Sequence, residues 1–490
     1  MTQQTDLDRR MFVRRGAMGA GALWMLSLGD FMGRRAEAAI ASPYGPVSPK
    51  PDETTGLHLL QLPDGFRYAS FSWTGDIMSD GVECPALHDG MAVVDAIGAA
   101  GDDDDRFSRA GSERRGGDDD DDRDGDDDDD DDDDDREHRG RRLILVRNHE
   151  VATGAPYLNR PKITYAPDGA GGTTNLIFDA RRGLWEKAWS SLAGTVRNCA
   201  GGVTPWGTWL TSEETGVAGH GWNFEVGAEK GDPRPLVDMG RFSHEALMVD
   251  HRTGYVYQTE DAGDSGFYLF VPRVGGRLIR GGRLYMLKVT GQPNADLGVG
   301  YPIGTTWGVE WVPIADPAAT TMSTYAQGAA LGGARFRRLE GCWWGHRTGF
   351  FLSTDGGSMR EGQVFEYDPR ARMVKLIYDS PTFLDCDNPD NLTVTPRGGL
   401  ILCEDNAGGQ GQFAAGERLL GLTLHGEIFT FAINNVVLAT AHNARVPAGD
   451  YRQAEWAGAC YSPDGRWLFA NIQTPGITFA ITGPWGAGPL

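Results

Sequence analysis

Residues 199–213 read Cys199-Ala-Gly-Gly-Val-Thr-Pro-Trp-Gly-Thr-Trp-Leu-Thr-Ser-Glu213. A short apolar run enters a Pro/Gly turn, a second run rich in Thr and Trp returns, and an acidic residue closes it. Turn formers between two β-favouring runs mark an antiparallel hairpin. The same unit recurs at Glu245–Glu260, Glu340–Asp355, Asn391–Asp405 and Glu455–Asn471. A sixth, from Asp89-Gly90 to Asn148-His149-Glu150, emerges when the stretch between Val94 and Leu143 is treated as an overgrown turn. One recurring supersecondary unit of this kind predicts an all-β chain, a β-propeller of about six blades with residues 39–490 as a single domain. The 69 Gly, 26 Pro and 14 Trp agree with many short strands and turns.

The spacing carries chemistry. In such a hairpin, residues about 13 to 15 apart lie opposite each other at the open end. Each unit then offers polar groups at one rim, and a propeller's inner strands bring those rims to a central channel. The predicted rim set is Glu150, Cys199, Glu213, Glu214, Glu245, Glu260, Asp261, Glu340, Asp355, Glu404 and Asp405. Crowded carboxylates must protonate or bind cations, so a metal cluster is expected in the channel. Oxygen donors suit Ca²⁺, and the single thiolate of Cys199 suits a softer, redox-capable metal such as iron. For any one of these glutamates a solvent-facing turn is the plain alternative, and the matched recurrence argues for the set.

The N-terminus reads as an address. Arg9-Arg10 precede Met11-Phe-Val13, an apolar Gly16–Gly29 stretch follows, and Ala36-Glu-Ala38 supplies a small-x-small cleavage pattern. Residues 1–38 are expected to be a twin-arginine signal peptide, which places the mature protein in the periplasm or outside the cell. The apolar stretch is shorter than the roughly 20 residues that span a bilayer, so stable membrane insertion is not expected. The six cysteines hold no Cys-x-x-Cys pair, which argues against a zinc ribbon, and an exported chain leaves disulfides open.

The formal charge of −22 misleads, because residues 101–140 hold 22 Asp and Glu against seven Arg and account for −15 of it. That Asp-rich insert has nothing to bury and is expected to be a disordered loop; it lacks the glycines of calcium-binding loops. No Lys/Arg cluster in the remainder suggests nucleic acid. A monomer is the default assembly.

Several stretches together resemble the PhoX family of calcium- and iron-dependent alkaline phosphatases. They are Arg147-Asn-His-Glu150, Asn198–Glu214, Gly240-Arg-Phe-Ser-His-Glu-Ala246, Glu260–Phe270, Arg338-Leu-Glu-Gly341, Asp390-Asn-Leu-Thr-Val394, Cys403-Glu-Asp405 and Phe469–Gly476. The resemblance implies an exported phosphatase hydrolysing phosphate monoesters, with Ca²⁺ and Fe³⁺ as cofactors. It implies iron ligation by Cys199, calcium and iron ligation by Asn148, Glu213, Glu245, Glu340 and Asp405, and phosphate contact by Arg338. Glu150, Glu214 and Glu404 complete the expected metal set, and Arg338, Glu340 and Cys199 the expected catalytic set. Ser212 stands where many relatives carry Cys. A metal-bound oxide or hydroxide would be the attacking group, so no serine nucleophile is required.

Other readings are weaker. Gly263-Asp-Ser-Gly266 and Thr440-Ala-His442 imitate protease motifs, but in the wrong order. His149-Glu150 and His244-Glu245 lack the second His of a zinc protease. A calcium-dependent propeller lactonase or esterase would use the carboxylates without Cys199, and a non-catalytic propeller would keep calcium for stability alone.

Overall fold

The computed structural model describes residues 39–97, 142–152, 154–405 and 416–490. The signal peptide (1–38) and the Asp-rich insert (101–140) lie outside the described residues. Six hairpins organise what remains: His88–Ile97 with Arg142–His149, Asn198–Val203 with Trp209–Glu213, His244–Val249 with Val256–Glu260, Leu339–Trp344 with Gly349–Ser353, Pro389–Val394 with Leu400–Glu404, and Trp456–Tyr461 with Leu468–Ile472. The first strand of each packs on the first strand of the next, and the sixth packs on the first, so the ring closes. The molecule is a β-propeller with these six strands around its axis.

Outer strands complete the units. The first continues through Gly171–Asp179 and Leu184–Thr195, and Thr306–Pro313 joins the third and fourth into one nine-stranded sheet. The ring is locked by its ends: Arg67–Phe71, near the described N-terminus, pairs antiparallel with Ile477–Thr482 as the outer strand of the sixth unit. Between units the seams are apolar, as where Phe267, Phe351 and Phe365 stack between the third and fourth. All six cysteines are buried and free, so none of the disulfides left open by the sequence forms.

One irregularity repeats all the way round. Each inner hairpin breaks register near the start of its first strand, at His88/Met91, Asn198/Gly201, His244/Leu247, Leu339/Cys342, Pro389/Leu392 and Ala457/Cys460. A β-bulge sets two residues against one and re-aims the first of them. Here it decides which side chains enter the channel.

Candidate metal centre

The re-aimed residues are Asp89, Cys199, Glu245, Glu340 and Asp390, the first bulged position in five successive units; the sixth has Gly458 there. Their donor atoms meet. Asp89, Glu150 and Cys199 form one group, Cys199, Glu214 and Glu245 a second, and Glu245, Glu340 and Asp390 a third, with the ligand atoms of each group within 4.8 Å of one another. Cys199 links the first two groups and Glu245 the last two.

A second circle comes from the residue just past each second strand: Glu150, Glu214, Asp261, Thr354, Asp405 and Gln473. In every unit its N–H donates to the carbonyl of the residue leading into the first strand, Leu87, Arg197, Ser243, Arg338, Asn388 and Glu455, at 2.9–3.1 Å. Four of these lead-in residues are left-handed without being glycine: Leu87 at φ 52°, Arg197 at 50°, Arg338 at 37° and Asn388 at 44°. Such strained backbone clusters at functional sites. Two of the four are arginines that span carboxylates across the mouth. Arg338 donates to Asp261 at 2.8 and 3.2 Å and to Glu340 Oε1 at 2.8 Å. Arg197 bridges Glu150, at 2.5 Å, and Glu214.

Below the circles the channel is stopped. Gly90, Ala200, Ala246, Gly341, Asn391 and Gly458 leave a void of about 10 Å³, the scale of one water. A Cβ on Gly458 would sit 2.3 Å from Asp89 O, and one on Gly341 2.6 Å from Asp390 O, so larger residues could not pack there. Ligands therefore reach the carboxylates from the opposite mouth.

The electrostatics are those of crowded buried acids whose mutual repulsion Arg197 and Arg338 offset only in part. Burial and neighbouring carboxylates push Glu214 and Asp390 up to about 8. Burial first, then neighbouring acids, holds Asp89, Glu245, Glu340 and Glu455 well above the carboxylate range and the Cys199 thiol well above its own. Both carboxylate oxygens of Glu245 and Oδ1 of Asp89 are buried without a hydrogen-bond partner among the described residues. A buried acceptor without a partner is costly, and hard cations take oxygen ligands of this kind. Donors of this number and type, with one sulfur among them, fit more than one metal ion.

Three expected ligands lie elsewhere, and the bulge explains each. Glu213 accepts from Val196, Gly221 and Trp222 N–H and bonds His220 Nδ1 at 2.7 Å. Glu404 is held by Arg418 and by Asp387 N–H. Both sit opposite the residue before the bulge and point into their own blade, as does Glu260, which takes Gly266 N–H and Tyr268 Oη–H. Asn148 donates to Cys199 O and Ala200 O and accepts from Trp209 and Thr211, so its amide fixes the Cys199 bulge and is fully engaged. Asp355 pairs with Arg360 and Ser212 with Asn223, away from the ring. Ser265 is buried and accepts from Leu339 N–H, while His442 pairs with Asp76, so Ser265 and His442 form no protease triad among the described residues.

Sequence reasoning left Asp89, Asp390, Glu455 and Arg197 out of the ligand and catalytic sets. Asp89 and Asp390 sit at the position of Cys199 in their units, and superposing the units on the residue after each second strand would have found them. Glu455 and Arg197 share the lead-in position of Arg338.

The chain matches the family model "Alkaline phosphatase PhoX" over residues 42–476. No curated protein sequence matches it. Among solved structures it is similar to Pseudomonas fluorescens PhoX in complex with vanadate, a transition state analogue, at TM-score 0.57 and 17% identity over 91% of this chain and 99% of that one. A gluconolactonase from Xanthomonas campestris aligns at TM-score 0.31 and 14% identity, over 70% of this chain and 90% of that one. The family match spans all six bulged hairpins, and the chain belongs to the PhoX family of alkaline phosphatases.

Proposed function

We propose that the channel holds calcium and iron and that the protein hydrolyses phosphate monoesters outside the cytoplasm, after export by the twin-arginine pathway. The phosphoric ester hydrolase activity is that of its family. The observation that carries the metal reading is Glu245, a carboxylate between two donor groups with both oxygens buried and without a hydrogen-bond partner among the described residues. Cys199 is the donor that favours iron, and Glu340 and Asp390 are all-oxygen donors that favour calcium. Cations held there would set positive charge against the phosphate oxygens and acidify a water.

The chain's own groups do the rest. Arg338 and Arg197 each offer a planar guanidinium at the mouth, suited to two phosphate oxygens at once. Burial opposes their charge, yet the carboxylates around them overcome it and keep both firmly protonated. Glu340 orients Arg338, and Asn148 holds the backbone that presents Cys199. The packed floor confines the ester to one approach. Export in the folded state suits metals inserted before transport, and among described residues no helix is long and apolar enough to cross a membrane.

The test is p-nitrophenyl phosphate hydrolysis by exported protein, with and without Ca²⁺ and chelator. Calcium-dependent turnover abolished by chelation is expected. Iron- and calcium-loaded protein that hydrolyses no phosphate ester over a broad pH range would overturn the proposal and direct attention to lactones.

A further inference from the structure

The mouth of the ring is acidic, and the face opposite it is basic. In each unit the strands alternate in direction, so the turn between first and second strand, and that between third and fourth, fall at the floor end. The segments that join strands there are 180–183, 204–208, 227–230, 250–255, 273–281, 345–348, 369–372, 395–399, 423–427 and 462–467. They hold eleven Arg and one Lys against four Asp and Glu. All eleven arginines are exposed. Among the described residues only Arg252 and Arg466 of the eleven pair with an Asp or Glu, loosely at 3.4 and 3.8 Å. No run of the sequence concentrates these cations; the closed ring gathers them. The turns adjoin one another. A Cβ on Gly276 would lie 3.8 Å from the Trp206 ring, one on Gly183 3.0 Å from Trp467 and one on Gly465 2.7 Å from Pro396.

The opposite charge is attached at the same face. Ile97 pairs with Arg142 at the floor end of the first inner hairpin, and Arg142 pairs with Asp179 beside the Arg181-Arg182 turn. Between Ile97 and Arg142 run the 44 residues 98–141, of which 101–140 carry a net charge of −15. The Asp126–Asp135 run ends seven residues before Arg142. At about 3.3 Å per residue its near end can reach about 23 Å from that root and its far end about 53 Å. A compact chain of about 400 residues has a radius of gyration of about 21 Å, so the run can reach turns in every unit. Tethering supplies an effective concentration on the order of millimolar, so contacts that are weak one by one suffice. Carboxylates suit the planar guanidinium of Arg, which takes two oxygens at once.

We propose that the basic floor is the docking surface of the chain's own Asp-rich segment, residues 101–140, held by ion pairs to arginines of the first, third and fourth units. The segment sits on the face away from the metal centre and takes no part in the chemistry. It covers a cationic surface that would otherwise collect external polyanions. The same segment of a second copy and a free polyanion are the rival occupants.

All six native cysteines are buried. Gly125→Cys, just before the Asp run, and Ala371→Cys, between Arg370 and Arg372, therefore provide sites for a donor and an acceptor dye in the full-length, metal-loaded protein. Energy transfer within one molecule should fall about two-fold as NaCl rises from about 0.01 to about 1 M, because the Debye length shrinks from about 30 to about 3 Å. Arg347→Glu with Arg370→Glu should produce a comparable fall at low salt. Arg160→Glu with Arg445→Glu, the same change of charge on exposed arginines outside the floor turns, should leave the transfer intact. Transfer that ignores both salt and the floor arginines would overturn the inference. Transfer between separately labelled molecules, rising with protein concentration, would also overturn it and assign the floor to a second copy. Heparin that binds through Arg347 and Arg370 without lowering the transfer would do the same and leave the floor to external polyanions.

Discussion

Glu213, Glu260 and Glu404 on the second strands, and Cys199, Glu245 and Glu340 on the first, are close neighbours of similar burial with opposite fates. The first set accepts hydrogen bonds from its own blade: Glu213 from three backbone N–H groups, Glu404 from a guanidinium. The second set faces the axis, and among the described residues neither carboxylate oxygen of Glu245 has a hydrogen-bond partner within the blade. What separates them is one extra residue in each inner hairpin. The bulge turns the first-strand side chain into the channel, while its neighbour across the ladder stays in the blade. Carboxylates of the first kind hold the fold together; those of the second are held in readiness by it.

The largest expected effect breaks the channel set. Glu245→Gln should lower kcat about 10³-fold and reduce metal content, because it removes the donor shared by two groups, with the fold retained by circular dichroism. Full activity in a folded, metal-replete Glu245→Gln protein would erase the distinction between the two sets.

The complementary change breaks the blade set. Glu404→Ala takes the carboxylate from a buried ion pair with Arg418 and should destabilise the protein by about 3–5 kcal/mol in denaturant titration. Metal bound per folded molecule should not change. Loss of metal at unaltered stability would move Glu404 into the centre.

Acidity sharpens the same contrast. Glu214 and Asp390 are raised to about 8, above their unfolded values. Their stabilising contribution is fully present below the unfolded pKa and is lost as pH rises through the folded one. Chelated protein should therefore show a Tm that falls as pH rises from about 5 to about 8 and then levels off, while metal-loaded protein resists the fall because cations replace protons. Parallel profiles would contradict the account.

The smallest effect concerns the arginine that sequence reading passed over. Arg197→Lys keeps the charge and loses the planar fork, so KM and the inhibition constant for inorganic phosphate should rise about ten-fold, with kcat little changed. A fall in kcat with unaltered phosphate inhibition would make Arg197 a purely structural clamp on Glu150 and Glu214.

The propeller was legible because a hairpin repeated at Cys199, Glu245 and Glu340 carries its turn formers and apolar runs in plain order, and those three residues stand in the channel as expected. The error came from hairpin arithmetic. Pairing by a regular ladder sets Cys199 opposite Glu213, whereas the bulge sets Asn198 there and frees Cys199. A bulge has no reliable composition, so Glu213 and Glu404 were set on the rim one position out, and the amide of Asn148, which the resemblance implied as a ligand, is bonded to the Cys199 bulge and to Trp209 and Thr211. Asp89 opens its unit in the sequence, but with the acidic insert between it and Glu150 no ladder spacing sets it at the position of Cys199. Arg197 lies just before its hairpin and Glu455 opens the sixth unit, and only the closed ring brings both to the mouth.

The account turns on which carboxylates meet metal, and anomalous diffraction from crystals of the exported, metal-loaded protein addresses that directly. Data above and below the iron edge, with longer-wavelength data for calcium, should place iron at Cys199 Sγ and calcium at the Glu245, Glu340 and Asp390 donors. Peaks seated on Glu213 or Glu404, or a channel without anomalous density at Cys199 and Glu245, would contradict it.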